Sequence, residues 1–218
     1  MQLYGRGIRR RLAPMLHGNP RKTALAFSLL FSLPGTPVIY YGDEIGLGDD
    51  LSQPERNSVR TPMQWTGEPN GGFSTAPRRR LVRPVVEGGP YGYQAVNVLW
   101  SQRDPNSILN HVERLIRTYK QLPALGRGAW SVCDTDQPSV LAHRCDWEGE
   151  AVLVLHNLGE SPCQARLTDK VEPPRLVEVL SDGSGYVSID DPTKPILLEG
   201  YGFRWFRIDG EGTASGAG

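Results

Sequence analysis

The stretch Pro34-Gly35-Thr36-Pro37-Val38-Ile39-Tyr40-Tyr41-Gly42-Asp43-Glu44-Ile45-Gly46 decides the fold prediction. A Pro-Gly-Thr-Pro turn precedes a run of β-branched and aromatic residues at 38–41, which ends at a glycine and two carboxylates. Because this run does not alternate with polar residues, it predicts a strand that is buried on both faces. Such strands form parallel sheets, whose binding groups lie at the carboxyl ends of the strands.

Composition limits the possible partners and compartments. The 218 residues include 24 Lys plus Arg and 24 Asp plus Glu, and this balance argues against a nucleic-acid or membrane partner. The arginine triplets at 9–11 and 78–80 are too short to form a basic tail. The odd number of cysteines, without C-x-x-C spacing, predicts a reducing, cytoplasmic compartment. The N-terminus lacks an apolar targeting segment, which predicts a chain that is not exported.

Two helices and one long loop are predicted in the first half of the chain. Asn19-Pro20 suits a helix start, and the apolar residues that follow predict a helix to about residue 33. Asp104-Pro105 is predicted to begin a second helix, whose apolar residues share one face to about residue 121. Between them, residues 42–95 contain many Gly and Pro residues. We expect this segment to form an elaborated loop over the carboxyl face of the sheet.

From residue 129 onward, short β-type runs follow one another without helices. Turn signals such as Trp147-Glu148-Gly149 separate them, a pattern typical of a small antiparallel sandwich. The predicted division is therefore a first domain at 1–124, a β-sandwich domain at 125–209 and a disordered tail at 210–218. The runs lie at 140–143, 151–155, 165–167, 176–180, 196–198 and 203–208.

Several motifs are candidate sites of chemistry. Gly46-Leu47-Gly48 lacks the third glycine of a dinucleotide-binding loop, and the acidic residues after it would repel a pyrophosphate. The histidines, at 17, 111, 143 and 156, are not at metal-ligand spacing, so neither a metal nor a cofactor is expected. The carboxylates near the strand end fit either a catalytic pair or a structural role as hydrogen-bond acceptors and arginine partners. They are Asp43, Glu44, Asp49 and Asp50.

Arg56 and Arg60 lie beside the segment Thr61-Pro62-Met63-Gln64-Trp65 in the long loop. Arginine, glutamine and tryptophan at the mouth of a sheet can hydrogen-bond sugar hydroxyls and stack on a pyranose ring. The same residues can also hold the loop in place through ion pairs. The residues alone leave both interpretations open.

The separated motifs together resemble one family. The run from Gly35 to Gly46 is similar to the G-x-P-x-x-Y-Y-G-x-E-x-G signature at the eighth barrel strand of the α-amylase superfamily of glycoside hydrolases. The segment Arg60-Thr61-Pro62-Met63-Gln64-Trp65 resembles the R-x-P-M-Q-W motif of its α-glucosidase and trehalose synthase branch. Further resemblance to trehalose synthases lies at 3–16, at 104–110, in Asp-Pro-Asn-Ser-Ile-Leu-Asn, and at 201–206, in Tyr-Gly-Phe-Arg-Trp-Phe.

This resemblance implies an α/β fold, the terminal segment of a (β/α)8 TIM barrel, followed by an all-β sandwich domain. It implies an enzyme that interconverts maltose and trehalose by retaining intramolecular glucosyl transfer, with Arg60 as a substrate-binding residue. The family's catalytic carboxylates lie on earlier barrel strands, and neither the G-F-R-x-D nor the N-H-D motif occurs in this sequence. We therefore expect no catalytic residue here, an inactive isolated chain, and the remaining barrel portion as its partner.

Two alternatives stay open. The first is the C-terminal part of an oligosaccharide α-glucosidase, whose Met-Gln-Trp segment is similar. The second is a stand-alone carbohydrate-binding β-domain that uses Trp130, Trp147 and Trp205 as a sugar platform. The sequence favours core packing for Trp205, because that residue lies between Phe203 and Phe206 in a predicted strand.

Overall fold

The computed structural model describes residues 7–168, 175–182, 188–189, 191 and 194–209. Two compact units divide the chain: one contains Met1–Ala24 and Val38–Arg114, the other Leu25–Pro37 and Leu115–Gly218. The predicted domain boundary at residue 125 stays a prediction. The predicted tail at 210–218 lies outside the described residues.

Helices occupy the predicted places, with one corrected start. The α-helices are α1 (Leu12–Met15), α2 (Pro20–Ser32), α3 (Val98–Arg103), α4 (Ile108–Gln121) and α5 (Pro123–Arg127). Asn19 caps α2 as predicted, since its Oδ1 accepts a hydrogen bond from the backbone N–H of Lys22 at 3.1 Å. The prediction that Asp104-Pro105 begins α4 was wrong. Residues 105–107 form a turn, and Ser107 Oγ accepts from the N–H of Asn110 at 3.2 Å, which places the cap three residues later.

The predicted buried strand at 38–41 is not a strand in this structure. Residues 36–40 have no regular secondary structure, and neither described sheet includes them. The side chain of Val38 is 77% exposed, and Tyr40 and Tyr41 are also exposed. The sequence pattern indicates that the segment is suited to burial. Burial itself requires neighbouring strands, and none of the described residues forms a strand beside it.

The long loop is irregular, as predicted. Between Gly42 and Ala95 it forms only short 3₁₀ turns, joined by extended and bent segments. The turns are Asp43–Ile45, Glu55–Val59, Pro69–Gly72, Arg78–Arg80 and Gly89–Tyr91.

The β-domain forms two antiparallel sheets, as the short runs predicted. Its strands are β1 (Ala129–Cys133), β2 (Val140–Trp147), β3 (Glu150–Asn157), β4 (Cys163–Ala165), β5 (Leu176–Ser181), β6 (Ser188–Ile189), β7 (Ile196–Leu198) and β8 (Phe203–Ile208). The larger sheet has the order β1-β2-β3-β8-β5-β6, and β4 pairs with β7 in the smaller one. A hydrophobic core joins the two sheets. It consists of Ala142, Leu153, Leu155, Ala165, Leu176, Ile196, Leu198 and Phe206.

The opposite face of the larger sheet carries a second set of buried residues. Strand alternation places His143, His156, Phe203 and Trp205 on this face, and all four side chains are fully buried. Residues at the C-terminal end of α2 contact them: His143 Nε2 lies 3.0 Å from the carbonyl oxygen of Ser32. The second unit therefore includes part of α2 as well as the β-domain.

Within the described residues, no helix combines the length and the apolar composition needed to cross a membrane.

Candidate substrate site

The end of the signature segment is shaped by two glycines. Gly42 (φ 88°) and Gly46 (φ 73°) flank the 3₁₀ turn Asp43–Ile45 in the left-handed region. A Cβ atom on Gly42 would lie 2.6 Å from Cδ2 of the fully buried Leu47. Both the backbone angle and the lack of space therefore favour glycine at position 42.

Most of the acidic residues near this turn have structural roles. Asp43 Oδ1 lies 3.2 Å from Arg11 Nη1, and Asp49 Oδ2 accepts from Arg10 Nε at 2.9 Å. Asp50 accepts from the N–H and the hydroxyl of Ser52. These contacts are those expected from the structural interpretation of the three carboxylates. Burial raises the pKa of Asp43, and the Arg11 guanidinium opposes that rise.

Glu44 differs from the other carboxylates of the segment. Its Oε2 atom is buried and has no hydrogen-bond partner within the described part of the chain.

A cavity of about 560 Å³ is lined by Tyr41 of the signature segment and by residues of the long loop. This volume is within the range of small-molecule sites. Tyr41 and Arg60 contribute to its wall, so the structure brings the signature segment and the predicted sugar-binding arginine together. The complete lining is Tyr41, Arg60, Thr61, Pro62, Met63, Phe73, Ser74, Ala76, Arg80, Leu81, Val82 and Arg83.

The Arg-Thr-Pro-Met-Gln-Trp segment contains one residue that lines the cavity and one that is buried within the loop. Arg60 is exposed and lines the cavity. Gln64 is fully buried, and its Nε2 donates to the carbonyl oxygens of Tyr91 (3.2 Å) and Val96 (2.5 Å). Gln64 thus holds the loop together. Arg56 and the 49%-exposed Trp65 lie outside the cavity lining.

Sequence reasoning missed several of the lining residues. Phe73, Arg80 and Arg83 lie 13 to 23 residues after Arg60 in a segment without periodicity. The arginine triplet at 78–80 is the one signal in the sequence, and by itself it indicates a charged patch rather than a sugar site. Tyr41, in the run predicted to be a buried strand, instead lines the cavity, and its hydroxyl donates to the carbonyl oxygen of Thr61 at 2.8 Å.

Three of the four histidines and Trp205 are buried packing residues. Burial lowers the pKa of His111 and of His143 to about 4, and that of His156 to about 3. In the described ranges, no three His, Cys, Asp or Glu side chains are grouped so that they could hold a metal ion. Trp205 is fully buried, which confirms the expected core packing and removes it from any sugar platform.

A family model decides where the chain belongs. The α-amylase catalytic domain matches residues 9–128, and the C-terminal domain of sucrose hydrolase-like proteins matches residues 149–207. The chain belongs to the α-amylase family. The first match includes both the signature segment and the cavity, so the candidate site lies within the catalytic-domain part of this α-amylase-family chain.

Similar proteins agree with this assignment. A trehalose synthase of Pimelobacter sp. (strain R48) is 37% identical over 206 residues, which cover 93% of this chain and 36% of that protein. A trehalose synthase of Thermus thermophilus is 44% identical over 153 residues, covering 70% of this chain and 16% of the relative. The chain thus spans about a third or less of the length of these relatives.

Solved structures support the fold. An isomaltulose synthase from Erwinia rhapontici NX5, a variant in complex with D-glucose, superimposes with a TM-score of 0.72 at 20% identity. The similarity covers 93% of this chain and 42% of that structure. The predicted fold class, a terminal TIM-barrel segment followed by a β-domain, is confirmed.

Proposed function

We propose that this chain supplies part of the substrate site of an enzyme that interconverts maltose and trehalose by retaining intramolecular glucosyl transfer. The observation that carries the proposal is the cavity in which Arg60 of the family motif and Tyr41 of the signature segment share one wall. The identity of 37% to a trehalose synthase over most of the chain supports the choice of reaction.

The cavity has the composition that a sugar requires. The Arg60 guanidinium offers several N–H donors to hydroxyl groups, and the rings of Tyr41 and Phe73 offer apolar surface to a pyranose. No carboxylate lines this cavity. We therefore assign Arg60 to substrate binding and assign no catalytic residue to this chain.

The reaction itself needs groups that the cavity does not contain. A retaining glucosyl transfer uses one carboxylate to attack the anomeric carbon and a protonated carboxyl to assist the leaving group, about 5 Å from the first. Asp43 and Asp49 already pair with Arg11 and Arg10, so they are poor candidates for either role. We propose that the remaining barrel portion supplies both carboxylates and is the partner of this chain.

A cytoplasmic location is part of the proposal. Cys133, Cys145 and Cys163 form no disulfide bond with one another within the described residues. Cysteines that do not form disulfides suit a reducing environment, which supports a cytoplasmic location.

An activity assay tests the proposal. The purified chain is incubated with maltose, alone and joined to the preceding barrel portion of a trehalose synthase, and the products are separated by chromatography. We expect no product from the chain alone and trehalose as the main product of the joined protein. Glucose as the main product would instead favour an oligosaccharide α-glucosidase, and trehalose from the chain alone would refute the assignment of the carboxylates to the preceding barrel portion.

A β-domain that binds carbohydrate by itself is a weaker candidate. Of the three tryptophans considered for it, Trp205 is buried in the sheet, which leaves Trp130 and Trp147. Titration of the chain with maltose while tryptophan fluorescence is followed, with Trp130→Ala as the variant, separates this candidate from the cavity.

A further inference from the structure

We infer that Arg11 is a positioning residue for the substrate cavity, because its guanidinium fixes the two segments that carry Tyr41 and Arg60. Arg11 does not line the cavity, so it acts through these neighbours. The inference rests on the proposed function, since it assigns a role within the same glucoside site.

The first observation is how the guanidinium distributes its hydrogen bonds. The Arg11 side chain is 1% exposed. Its Nη1 donates to the carbonyl oxygen of Tyr41 at 2.8 Å, and its Nη2 donates to the carbonyl oxygen of Val59 at 2.7 Å. Val59 directly precedes Arg60. One planar group therefore joins two backbone segments that lie 18 residues apart in the sequence, and both carry cavity residues.

The second observation is aromatic stacking. The Cζ atom of Arg11 lies 5.0 Å from the ring centroid of Tyr40 and 5.0 Å from that of Tyr41. Both distances are within the range of cation–π contacts. The guanidinium thus restrains the ring of Tyr41 as well as its backbone, while Asp43 at 3.2 Å balances the buried charge.

A third contact connects the two segments at the cavity itself. The Tyr41 hydroxyl donates to the carbonyl oxygen of Thr61 at 2.8 Å. Arg60 therefore lies between two residues whose carbonyl oxygens accept hydrogen bonds. Arg11 donates to Val59, and Tyr41 donates to Thr61. The position of the Arg60 backbone depends on this arrangement.

Lysine could not replace Arg11 in this role. Two different nitrogens of the planar Arg11 guanidinium donate to the carbonyl oxygens of Tyr41 and Val59. A lysine ammonium has only one nitrogen and cannot reproduce this geometry. The neighbouring arginines act elsewhere on the loop. Arg10 pairs with Asp49, and Arg9 donates to the carbonyl oxygens of Leu51 and Gln53, none of which line the cavity. Arg10 is therefore a suitable control.

The experiment compares Arg11→Lys with Arg10→Lys in the full chain, by titration with maltose followed by NMR. For Arg11→Lys we expect Kd to rise at least about tenfold, because small displacements of binding groups weaken a site strongly. We also expect shifted amide signals at Tyr41 and Arg60 and unchanged signals in the β-domain. For Arg10→Lys we expect a Kd within about twofold of the wild type.

Tyr41→Phe provides a second measure in case Arg11→Lys does not fold. It keeps the ring against the guanidinium but deletes the hydroxyl bond to Thr61, and we expect Kd to rise about threefold. If Arg11→Lys folds and binds maltose with unchanged affinity, the inference is overturned. If Arg11→Lys does not fold, unchanged affinity of Tyr41→Phe overturns it.

The wild type and Arg60→Ala separate the inference from the proposed function. If the wild type does not bind maltose, the proposed site and the inference both fall. A second outcome is that the wild type binds maltose and Arg60→Ala does not. If Arg11→Lys then binds maltose with the affinity of the wild type, only the role of Arg11 is refuted.

Discussion

His156 Nε2 lies 2.9 Å from the hydroxyl oxygen of Ser28, a residue 128 positions earlier in the chain. The same oxygen accepts a hydrogen bond from Trp205 Nε1 at 2.9 Å. Since all three side chains are fully buried, this serine satisfies polar groups from two strands of the larger sheet. The contact places the end of α2 with the β-domain as one packed unit.

Removal of this hydroxyl should destabilise the second unit. Ser28→Val leaves the Trp205 N–H buried without a partner, a defect that typically costs about 1–3 kcal/mol. Urea unfolding followed by circular dichroism measures the change in the free energy of unfolding. Thr75→Val, at an exposed position, serves as the control and should change it by less than about 0.5 kcal/mol. Equal stability of the two variants would contradict the assigned role of Ser28.

Stability of the same unit should fall in mild acid. Burial lowers the pKa of His156 to about 3 and that of His143 to about 4. In the unfolded chain, a histidine has a pKa near 6.5. Between these values, each imidazole stays neutral in the folded protein but takes up a proton in the unfolded chain. The stability that comes from the neutral histidines is fully present above about pH 6.5, and it is lost as the pH falls below that value. Below that pH, each histidine should contribute a slope of up to about 1.4 kcal/mol per pH unit.

The groups around the two rings do not offset this effect. The imidazoles stack with centroids 5.7 Å apart, and the residues that share ring contacts or hydrogen bonds with them, Ser28, Ser32, Trp130 and Phe203, are uncharged. Urea unfolding at about pH 7.5 and pH 5.5 measures the slope. A folded His143→Phe variant should have a smaller slope, whereas His17→Asn, at an exposed histidine, should keep most of it. A slope that is the same in both variants would be evidence against this assignment.

The fold was largely predictable from local patterns, and the failures have identifiable physical causes. Asn19-Pro20 predicted the start of α2, and apolar runs predicted most strands of the β-domain. The pattern at 38–41 predicted burial, but burial depends on neighbouring strands, and the described sheets provide none. The strand β1 was missed because Ala129–Cys133 is mostly exposed and lacks clear alternation.

The candidate site was predictable only in part. Arg60 was identified because its motif resembles a family motif, and this assignment remains a prediction. The role of Arg11 could not be derived from sequence, since the residues it joins lie 30 and 48 positions away. A triplet of arginines indicates charge, but only the three-dimensional structure distinguishes the fully buried Arg11 from its less buried neighbours.

The buried ion pair between Glu178 and Arg204 should contribute much more to stability than the exposed pair between Asp209 and Arg207. Glu178 Oε1 accepts from Arg204 Nε at 2.5 Å, and the two side chains are 1% and 14% exposed. Glu178→Gln removes one charge of a buried pair and should destabilise the chain by about 3 kcal/mol. Asp209→Asn breaks the exposed pair with Arg207 and should cost less than about 1 kcal/mol. Chemical denaturation of the two variants checks the ranking, and equal losses would disprove it.

Gln64 should be essential for the order of the long loop. Gln64→Glu keeps the shape of the side chain but replaces the donor amide with a carboxylate that faces the carbonyl oxygens of Tyr91 and Val96. We expect amide hydrogen exchange in residues 60–98 to accelerate by about tenfold or more. Gln94→Glu, at an exposed position in the same loop, should leave the exchange unchanged. Slow exchange in the Gln64 variant would mean that other contacts order the loop.

The central claim is that the cavity with Tyr41 and Arg60 binds an α-glucoside, and a maltose titration of the purified chain tests it most directly. Isothermal calorimetry compares the wild type with Arg60→Ala and with Arg56→Ala, which changes a nearby arginine outside the cavity lining. We predict saturable binding that weakens at least about tenfold in Arg60→Ala and stays within about twofold in Arg56→Ala. Absence of binding by the wild type, or equal affinity of Arg60→Ala and the wild type, would contradict the claim.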